Sequence, residues 1–292
     1  MSTIACASGK GGTGKTTVAT NLARVLSKRG RVHLLDCDVE GPNDHLFLHI
    51  EEANTRDVTI PLPEVDPEVC NGCGLCADAC QFNAIALLGD TVLVFSELCH
   101  SCGVCGYLCP TGAITERPRI IGTITTGTAG ELEFVGGSLN PGEPLAPPII
   151  AAVKGNVQES GDTIIDAAPG TTCPTVEAVR GADYCLLVTE PTPFGLSDLE
   201  MAVGMCRRLE VPVGVLINRC DLGDDRVQVY CEEQDIPIVA RFPFDLALAR
   251  AYARGDLVVD KSPEWEQRFE ALSETIRGYM EGGVAPCDNS SS

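Results

Sequence analysis

Hydrophobic and polar positions follow two alternating rhythms along this chain. Ile4-Ala5-Cys6-Ala7 is an apolar run of strand length, followed by a glycine-rich stretch and then a helical period. That helix is predicted from Thr16 to Arg29, with Val18, Leu22, Val25 and Leu26 on one face and Gly30 as its stop. Val32-His33-Leu34-Leu35 predicts the next strand, ending at Asp36-Cys37-Asp38. The pattern resumes with Thr163-Ile164-Ile165 ending at Asp166, then Cys185-Leu186-Leu187-Val188 and a helix near Ser197 to Leu209. Val213-Gly214-Val215-Leu216-Ile217 ending at Asn218 and a run from Ile236 to Arg241 predict two further strands. The last helix, Pro263 to Met280, spaces Trp265, Phe269, Leu272 and Ile276 for packing on a sheet, and its other face is mainly acidic. Strands alternating with helices predict an α/β fold with a mostly parallel sheet covered on both faces.

The rhythm breaks in the middle. Pro61 and Pro63 interrupt it, and residues 64–118 repeat internally, with Gln81-Phe82-Asn83-Ala84-Ile85 parallel to Pro110-Thr111-Gly112-Ala113-Ile114. Residues 119–145 are rich in Gly, Thr and Pro and predict short strands and turns. The expected organisation is a discontinuous α/β domain at 1–63 and 119–281, a small α+β insert at 64–118 and a disordered tail at 282–292. An insert of that size has little core of its own.

The length of 292 residues accommodates these parts, and the formal net charge of −20 argues against binding nucleic-acid phosphates or anionic lipid. No apolar run is long enough to cross a bilayer and no signal peptide is recognisable, so a cytoplasmic protein is expected, with no nucleic acid and no direct membrane binding. Sixteen cysteines in a chain without an export signal point to metal ligation rather than disulfides. Cys287, in the tail, has no nameable partner.

Two motifs carry chemistry. Gly9-Lys10-Gly11-Gly12-Thr13-Gly14-Lys15-Thr16, with Thr17 after it, follows a strand and opens a helix. Backbone N–H groups freed by glycine wrap phosphates there, Lys15 reaches the β- and γ-phosphates, and Thr16 holds Mg²⁺. Asp166, at a strand end, is the expected second magnesium-side carboxylate, although an aspartate there also serves as a turn former. The other motif is Cys-x-x-Cys-x-x-Cys-x-x-x-Cys, at Cys70, Cys73, Cys76 and Cys80 and again at Cys99, Cys102, Cys105 and Cys109. Zinc is the alternative for such pairs, but the doubled three-plus-one spacing is that of two 4Fe–4S clusters. Seven acidic residues and one basic residue, Arg117, fall in 64–118, a net charge of −6 that tends to lower a cluster's potential.

These motifs carry resemblances. The cysteine runs resemble bacterial two-cluster ferredoxins. By that scheme Cys70, Cys73, Cys76 and Cys109 hold one cluster, and Cys80, Cys99, Cys102 and Cys105 the other. Lys10 to Thr16 resembles the deviant Walker A motif of the MinD/ParA/Mrp ATPases, a SIMIBI-type P-loop group that includes the nitrogenase iron protein. Asp36-Cys37-Asp38 and Asp166-Ala167-Ala168-Pro169-Gly170 resemble that group's other acidic motifs. The resemblance implies Mg-ATP as the ligand and a dimer in which Lys10 reaches the partner's nucleotide. Asp38 orients the attacking water, Asp36 supports Mg²⁺, Asn218 and Asp221 hydrogen-bond adenine, and Pro169-Gly170-Thr171 forms switch II. The insert makes the chain most similar to MinD-type ATPases with a ferredoxin insert.

The basic membrane helix of MinD and the basic surface of ParA are both missing. Cys173 matches the offset of a cluster cysteine in the nitrogenase iron protein, but a buried structural thiol is the simpler expectation. Cys37 is expected to be packing. Three functions follow: a dimeric ATP switch gating electron transfer from two clusters or docking to a partner, a carrier or scaffold for metal-cofactor assembly, and a redox-sensing spatial organiser. Expected partners are a second copy or a similar ATPase, together with a redox partner or a small metal-cofactor-binding protein.

Overall fold

The computed structural model describes residues 2–157 and 160–282, so Cys287 and nearly all of the expected tail lie outside the described residues. In chain order the α/β part begins with β1 (Thr3–Ala7), α1 (Lys15–Ser27) and β2 (Val32–Cys37). The central segment is β3 (Glu51–Val65), α2 (Leu75–Ala79), β4 (Ile85–Leu88), β5 (Thr91–Val94), α3 (Val104–Leu108) and β6 (Ile114–Ala129). Then come β7 (Leu132–Leu139), α4 (Pro147–Lys154), β8 (Asp162–Ala167), α5 (Cys173–Val179), β9 (Tyr184–Thr189) and α6 (Pro193–Arg208). The chain finishes with β10 (Val213–Asn218), α7 (Arg226–Glu233), β11 (Ile238–Phe242), α8 (Leu246–Ala253) and α9 (Pro263–Met280).

The main sheet has the order β11-β10-β9-β1-β8-β2-β7-β6-β3. It is parallel from β11 to β7 and antiparallel from β7 through β6 to β3. Its strands are apolar on both faces because both faces are covered. On one face Ala5, Leu35, Ile165 and Leu187 pack with α4, α5, α6 and α7; on the other Ile4, Leu34, Ile164 and Leu186 pack with α1 and α9. Residues one apart on a strand point to opposite faces, so neighbours divide between two cores. Trp265, Phe269, Leu272 and Ile276 are all buried in the second core, as their spacing predicts. Phe269 is fully buried and meets Phe242 edge-on with ring centroids 5.1 Å apart. Phe269→Ala is expected to cost about 3–5 kcal/mol, read as a lower denaturation midpoint at unchanged m-value.

The expectation of short strands and turns over 119–145 is met only in part: β7 is a short strand between two turns, but β6 is not short. β6 is one 16-residue strand paired with the 15-residue β3 from Glu51↔Thr128 to Val65↔Ile114, with register shifts between Glu51 and Asn54 and between Val58 and Thr59. Threonine favours a pleated, half-exposed surface, and β3 supplies the hydrogen bonds that a local reading cannot see. Pro61 and Pro63 lie within β3, with Pro61 opposite Pro118. Both are tolerated because β3 is the edge of the sheet. The ribbon runs out of the sheet and carries residues 66–113 on its end.

Candidate functional site

The open ends of β1, β2 and β8 meet where the chain turns from one side of β1 to the other, the crevice in which α/β sheets bind ligands. The loop after β1 crosses this crevice and leads into α1. Gly14 caps α1 with φ of 94°, and a Cβ there would stand 2.5 Å from the Asn218 side chain, so only glycine fits. A cleft of about 320 Å³ lies over the loop. Gly11, Gly12, Gly14, Lys15, Thr16 and Thr17 form its floor, with Asp38, Asn43 and Pro169 on one side. Pro243, Phe244, Leu248 and Tyr252, from the β11–α8 connection and α8, form an apolar wall that the sequence reading missed. Their signal was weak, because the aromatic residues sit in a loop and on a short helix, away from any motif.

Asp166 is the centre of the polar floor. Lys15 Nζ donates to its Oδ1 at 2.6 Å and the Thr16 hydroxyl to its Oδ2 at 2.7 Å. Burial opposes the charge on Lys15, but Asp166 and neighbouring acids hold its pKa above the ordinary lysine value. Asp36 is fully buried and accepts backbone N–H bonds from Asp38, Asn43 and Asp44 at 2.9–3.1 Å. Burial, then the charge of Asp166, pushes the Asp36 pKa up to about 7. Burial likewise raises Asp38, which lines the cleft. Asp44, also missed by the sequence reading, is buried beside this pair.

Native Asp36 thus keeps a proton that the unfolded chain releases near pH 4. The native state binds more protons between these values, so the stability of magnesium-free, nucleotide-free protein falls as pH rises toward about 7 and then levels. A melting temperature that declines between about pH 5.5 and 7 in the parent, and declines less in Asp36→Asn, is the expected result.

The remaining site residues lie around the rim. Asn218 lines the cleft, but its Nδ2 donates to Thr13 O at 2.7 Å, clamping β10 to the phosphate loop. Asp221 is not on the cleft wall; its Oδ1 accepts the Phe244 N–H at 2.7 Å and so braces the apolar wall. Lys10 Nζ lies 3.7 Å from Glu190, which also pairs with Arg219. Pro169 borders the cleft, and Gly170 N–H donates to Ser8 O at 2.8 Å, tying the segment through Thr171 to the loop. Cys37 is fully buried in the core. Cys173 corrects an expectation: as the first residue of α5 it is exposed rather than a buried structural thiol.

Residues 66–113 bring the eight motif cysteines together in two sets. One pocket is lined by Cys70, Cys73, Cys76 and Cys109, the other by Cys80, Cys99, Cys102 and Cys105. The two halves share their backbone as well as their sequence. Gly72 and Ser101, Gly74 and Gly103, and Asn83 and Gly112 all have positive φ. Ser101 and Asn83 adopt this conformation despite their side chains, a strain that residues around a binding site commonly bear. The turns aim N–H groups at sulfur: Ala84 donates to Cys80 Sγ at 3.3 Å and Ser101 to Cys99 Sγ at 3.4 Å. Burial raises the pKa of Cys76 and Cys105, opposing the thiolate that a metal requires, whereas the Thr111 hydroxyl lowers that of Cys109. Among the described residues, no three His, Cys, Asp or Glu side chains are gathered closely enough for a single metal ion.

A family model described as the CobQ/CobB/MinD/ParA nucleotide binding domain matches residues 4–258. An uncharacterized protein of Methanocaldococcus jannaschii is 31% identical over 95% of this chain and 97% of its own length. The iron-sulfur cluster carrier protein of Pyrococcus abyssi is 24% identical over 88% of this chain and 78% of its own length. Among solved structures, the cell division ATPase MinD of Pyrococcus furiosus superposes with a TM-score of 0.61 at 22% identity, covering 95% of this chain and 99% of that one.

Proposed function

The chain belongs to the CobQ/CobB/MinD/ParA nucleotide-binding family and is a P-loop ATPase, and from that premise we propose that it is a dimeric Mg-ATP switch controlling two 4Fe–4S clusters. The observation that carries this reading is the sorting of eight cysteines into two four-thiol pockets, on a ribbon continuous with the ATPase sheet. Bound there, the clusters supply one-electron chemistry to a partner protein. The inserted unit is residues 64–118, between the two parts of the ATPase domain.

Each residue then has a task. The loop from Gly11 to Thr17 wraps the phosphates, and Lys15 leaves Asp166 for the β- and γ-phosphates, freeing the carboxylate for magnesium. Thr16 and Asp36 complete the magnesium side. Asp38, at the cleft edge, orients the attacking water. Lys10 leaves Glu190 to reach the nucleotide of the facing protomer, where a cation stabilises charge on the transferred phosphoryl. Pro169, Gly170 and Thr171 report the γ-phosphate through the Gly170–Ser8 bond. The apolar wall of Phe244 and Tyr252 receives the base, Asn218 fixes the loop below it, and Asp221 acts through Phe244.

A physical path connects the two parts. Val39, one residue after Asp38, accepts the Leu139 N–H at 2.8 Å, and the next residue, Asn140, donates to Ile121 O on β6 at 2.9 Å. Movement at the Asp36–Asp38 segment therefore bears on the strand that carries the cysteines. ATP hydrolysis opening and closing the dimer gates electron transfer to the partner or docking with it.

An anaerobic redox titration with and without Mg-ATP tests the coupling. A nucleotide-dependent shift of about 60 mV or more, roughly 1.4 kcal/mol for one electron, is expected. Unchanged potentials, together with transfer of iron and sulfide to an apo-ferredoxin on ATP hydrolysis, favour the second reading, a cluster carrier. The name of the Pyrococcus abyssi relative and the exposed Cys173 support that alternative.

A further inference from the structure

Arg119 stands where the two modules meet and has no task in the scheme above. It lies on β6 directly opposite Ile60 of β3, and residues paired in this way share a face of the sheet. On that face Ile60 belongs to the buried core of the ATPase sheet, while Leu62, two residues on, packs with Cys99 in the small core around the cysteines. Arg119 donates through both terminal nitrogens to Glu143, with Nη2 at 3.1 Å from Oε1. This planar two-bond pairing is one that arginine makes and lysine cannot. The Glu143 side chain is only 6% exposed. The third nitrogen of Arg119, Nε, is buried and has no hydrogen-bond partner among the described residues. A buried N–H left without an acceptor is costly. Besides Glu143, the groups close enough to act on the guanidinium charge are Cys99 and Glu97, both in the cysteine segment.

Glu143 ties this cation to the nucleotide side. Its N–H donates to Asn140 O at 3.0 Å, in the same connection whose Leu139 N–H donates to Val39 O at 2.8 Å. A short series of bonds therefore runs from the segment of Asp38 to Glu143, and from Glu143 to Arg119. Arginine stays charged throughout the working pH range, so its effect does not depend on titration. A fixed positive charge beside an iron–sulfur cluster favours the electron-rich state and raises the potential, and an N–H donated to a ligand sulfur acts in the same direction. Residues 64–118 carry a net charge of −6, which Arg119 opposes from just beyond their end. The carboxylate of Glu143 cancels part of that positive charge, so a displacement of Glu143 changes how much of it a cluster feels.

We propose that Arg119 sets the potential of the cluster held by Cys80, Cys99, Cys102 and Cys105, and that Glu143 is the arm through which the nucleotide cleft alters this setting. Nucleotide then acts on that cluster and not on the cluster of Cys70, Cys73, Cys76 and Cys109. This rests on the reading of the chain as an ATP switch with two 4Fe–4S clusters.

The test is an anaerobic potentiometric titration of the full chain, with the clusters followed by the paramagnetic resonance of their reduced forms. The Cys70→Ala variant, retaining the Cys80 set alone, identifies which potential belongs to it. Arg119→Gln is expected to lower that potential by at least threefold in the one-electron equilibrium constant, about 28 mV, and to leave the other cluster unmoved. Arg119→Lys, which keeps the charge, stays closer to the parent. Glu143→Gln still accepts from the guanidinium but no longer neutralises it, and raises the same potential by a similar factor. Because Arg119→Gln leaves a buried carboxylate unpaired and can cost stability, Glu143→Gln serves as the independent variant. The shift that Mg-ATP causes in the parent disappears in Arg119→Gln. Potentials that match the parent in both variants, or two clusters that move together, overturn the proposal and leave the two-cluster reading standing. A Mg-ATP shift that survives undiminished in Arg119→Gln also overturns it, with the coupling of ATP to the clusters intact. A parent without any Mg-ATP shift overturns the ATP-gated reading itself, and a parent without 4Fe–4S signals overturns the cluster assignment beneath both.

Discussion

Lys15→Ala lowers ATP turnover by at least about a hundredfold, the size of effect seen when a preorganised charge at a reacting centre is removed, and leaves the iron content unchanged. Lys15 opens α1 on the floor of the cleft, held by Asp166 at 2.6 Å. Its ammonium is the buried positive charge of the site, whereas Arg219, which also lines the cleft, is exposed and paired with Glu190. Alanine also removes the partner of buried Asp166, so a lower melting temperature accompanies the loss of turnover, softened by proton uptake on the acids nearby. Lys15→Arg separates the two effects. A guanidinium retains the ion pair with Asp166 and the fold, but its planar fork does not replace a point charge inside a tight loop, so turnover is still lost. The cysteine pockets are built from residues 63–116 and share no lining residue with the cleft. Collapse of the iron content in Lys15→Arg contradicts two separable modules.

Removing one cysteine is expected to remove one cluster, and the pairing crosses the two sequence runs. Cys80 lines the same pocket as Cys99, Cys102 and Cys105, whereas Cys109 lines that of Cys70, Cys73 and Cys76. Cys80→Ala and Cys99→Ala should each lose about four iron atoms per chain, one cluster's worth, and the double variant no more than either alone. Combining Cys80→Ala with Cys109→Ala loses both clusters. Iron analysis and the spectrum of the reduced protein read this directly. The effect extends to structure, because the buried core of this lobe consists of Leu62, Ala84 and Cys99 with Cys80 and Val94 packed against it. So small a core depends on its ligated metal for stability, so the lobe becomes sensitive to proteolysis in the double variant. If Cys80→Ala and Cys70→Ala instead remove the same cluster, each run holds its own and the interleaved assignment is wrong.

No helix among the described residues is long and apolar enough to cross a membrane.

Short-range rules made much of the molecule readable. The phosphate loop is a local device: glycine at Gly14, the lysine and threonine after it, and an apolar strand before it suffice, because a helix N-terminus and its preceding turn form from neighbours in sequence. The cysteine runs are similarly local, since the first three cysteines of each run lie within seven residues. Strands buried on both faces show as apolar runs, which is why β1, β2, β8, β9 and β10 were legible as short runs in the sequence. α9 was legible because one face must be buried every 3.6 residues.

Long-range pairing decided the rest. β3 and β6 are separated by the entire cysteine segment, and the hydrogen bonds of each exist only because the other is present. Their threonines and prolines read as turns until a partner strand is supplied. Asp221 turns from the cleft because Phe244, far along the chain, offers an N–H. Cys173 is exposed as the first residue of α5, a placement that only the folded helix reveals. Asp44 reads as one more acid of a polar segment, and only folding buries it beside Asp36 and Asp166. The sequence by itself determined the chemical parts, a phosphate loop and two sets of thiols, because those parts are built from neighbouring residues. Only the tertiary structure decided which thiols share a pocket, which acids are buried together and how the two modules are joined, because burial and non-local pairing set the cost of each charge and each hydrogen bond.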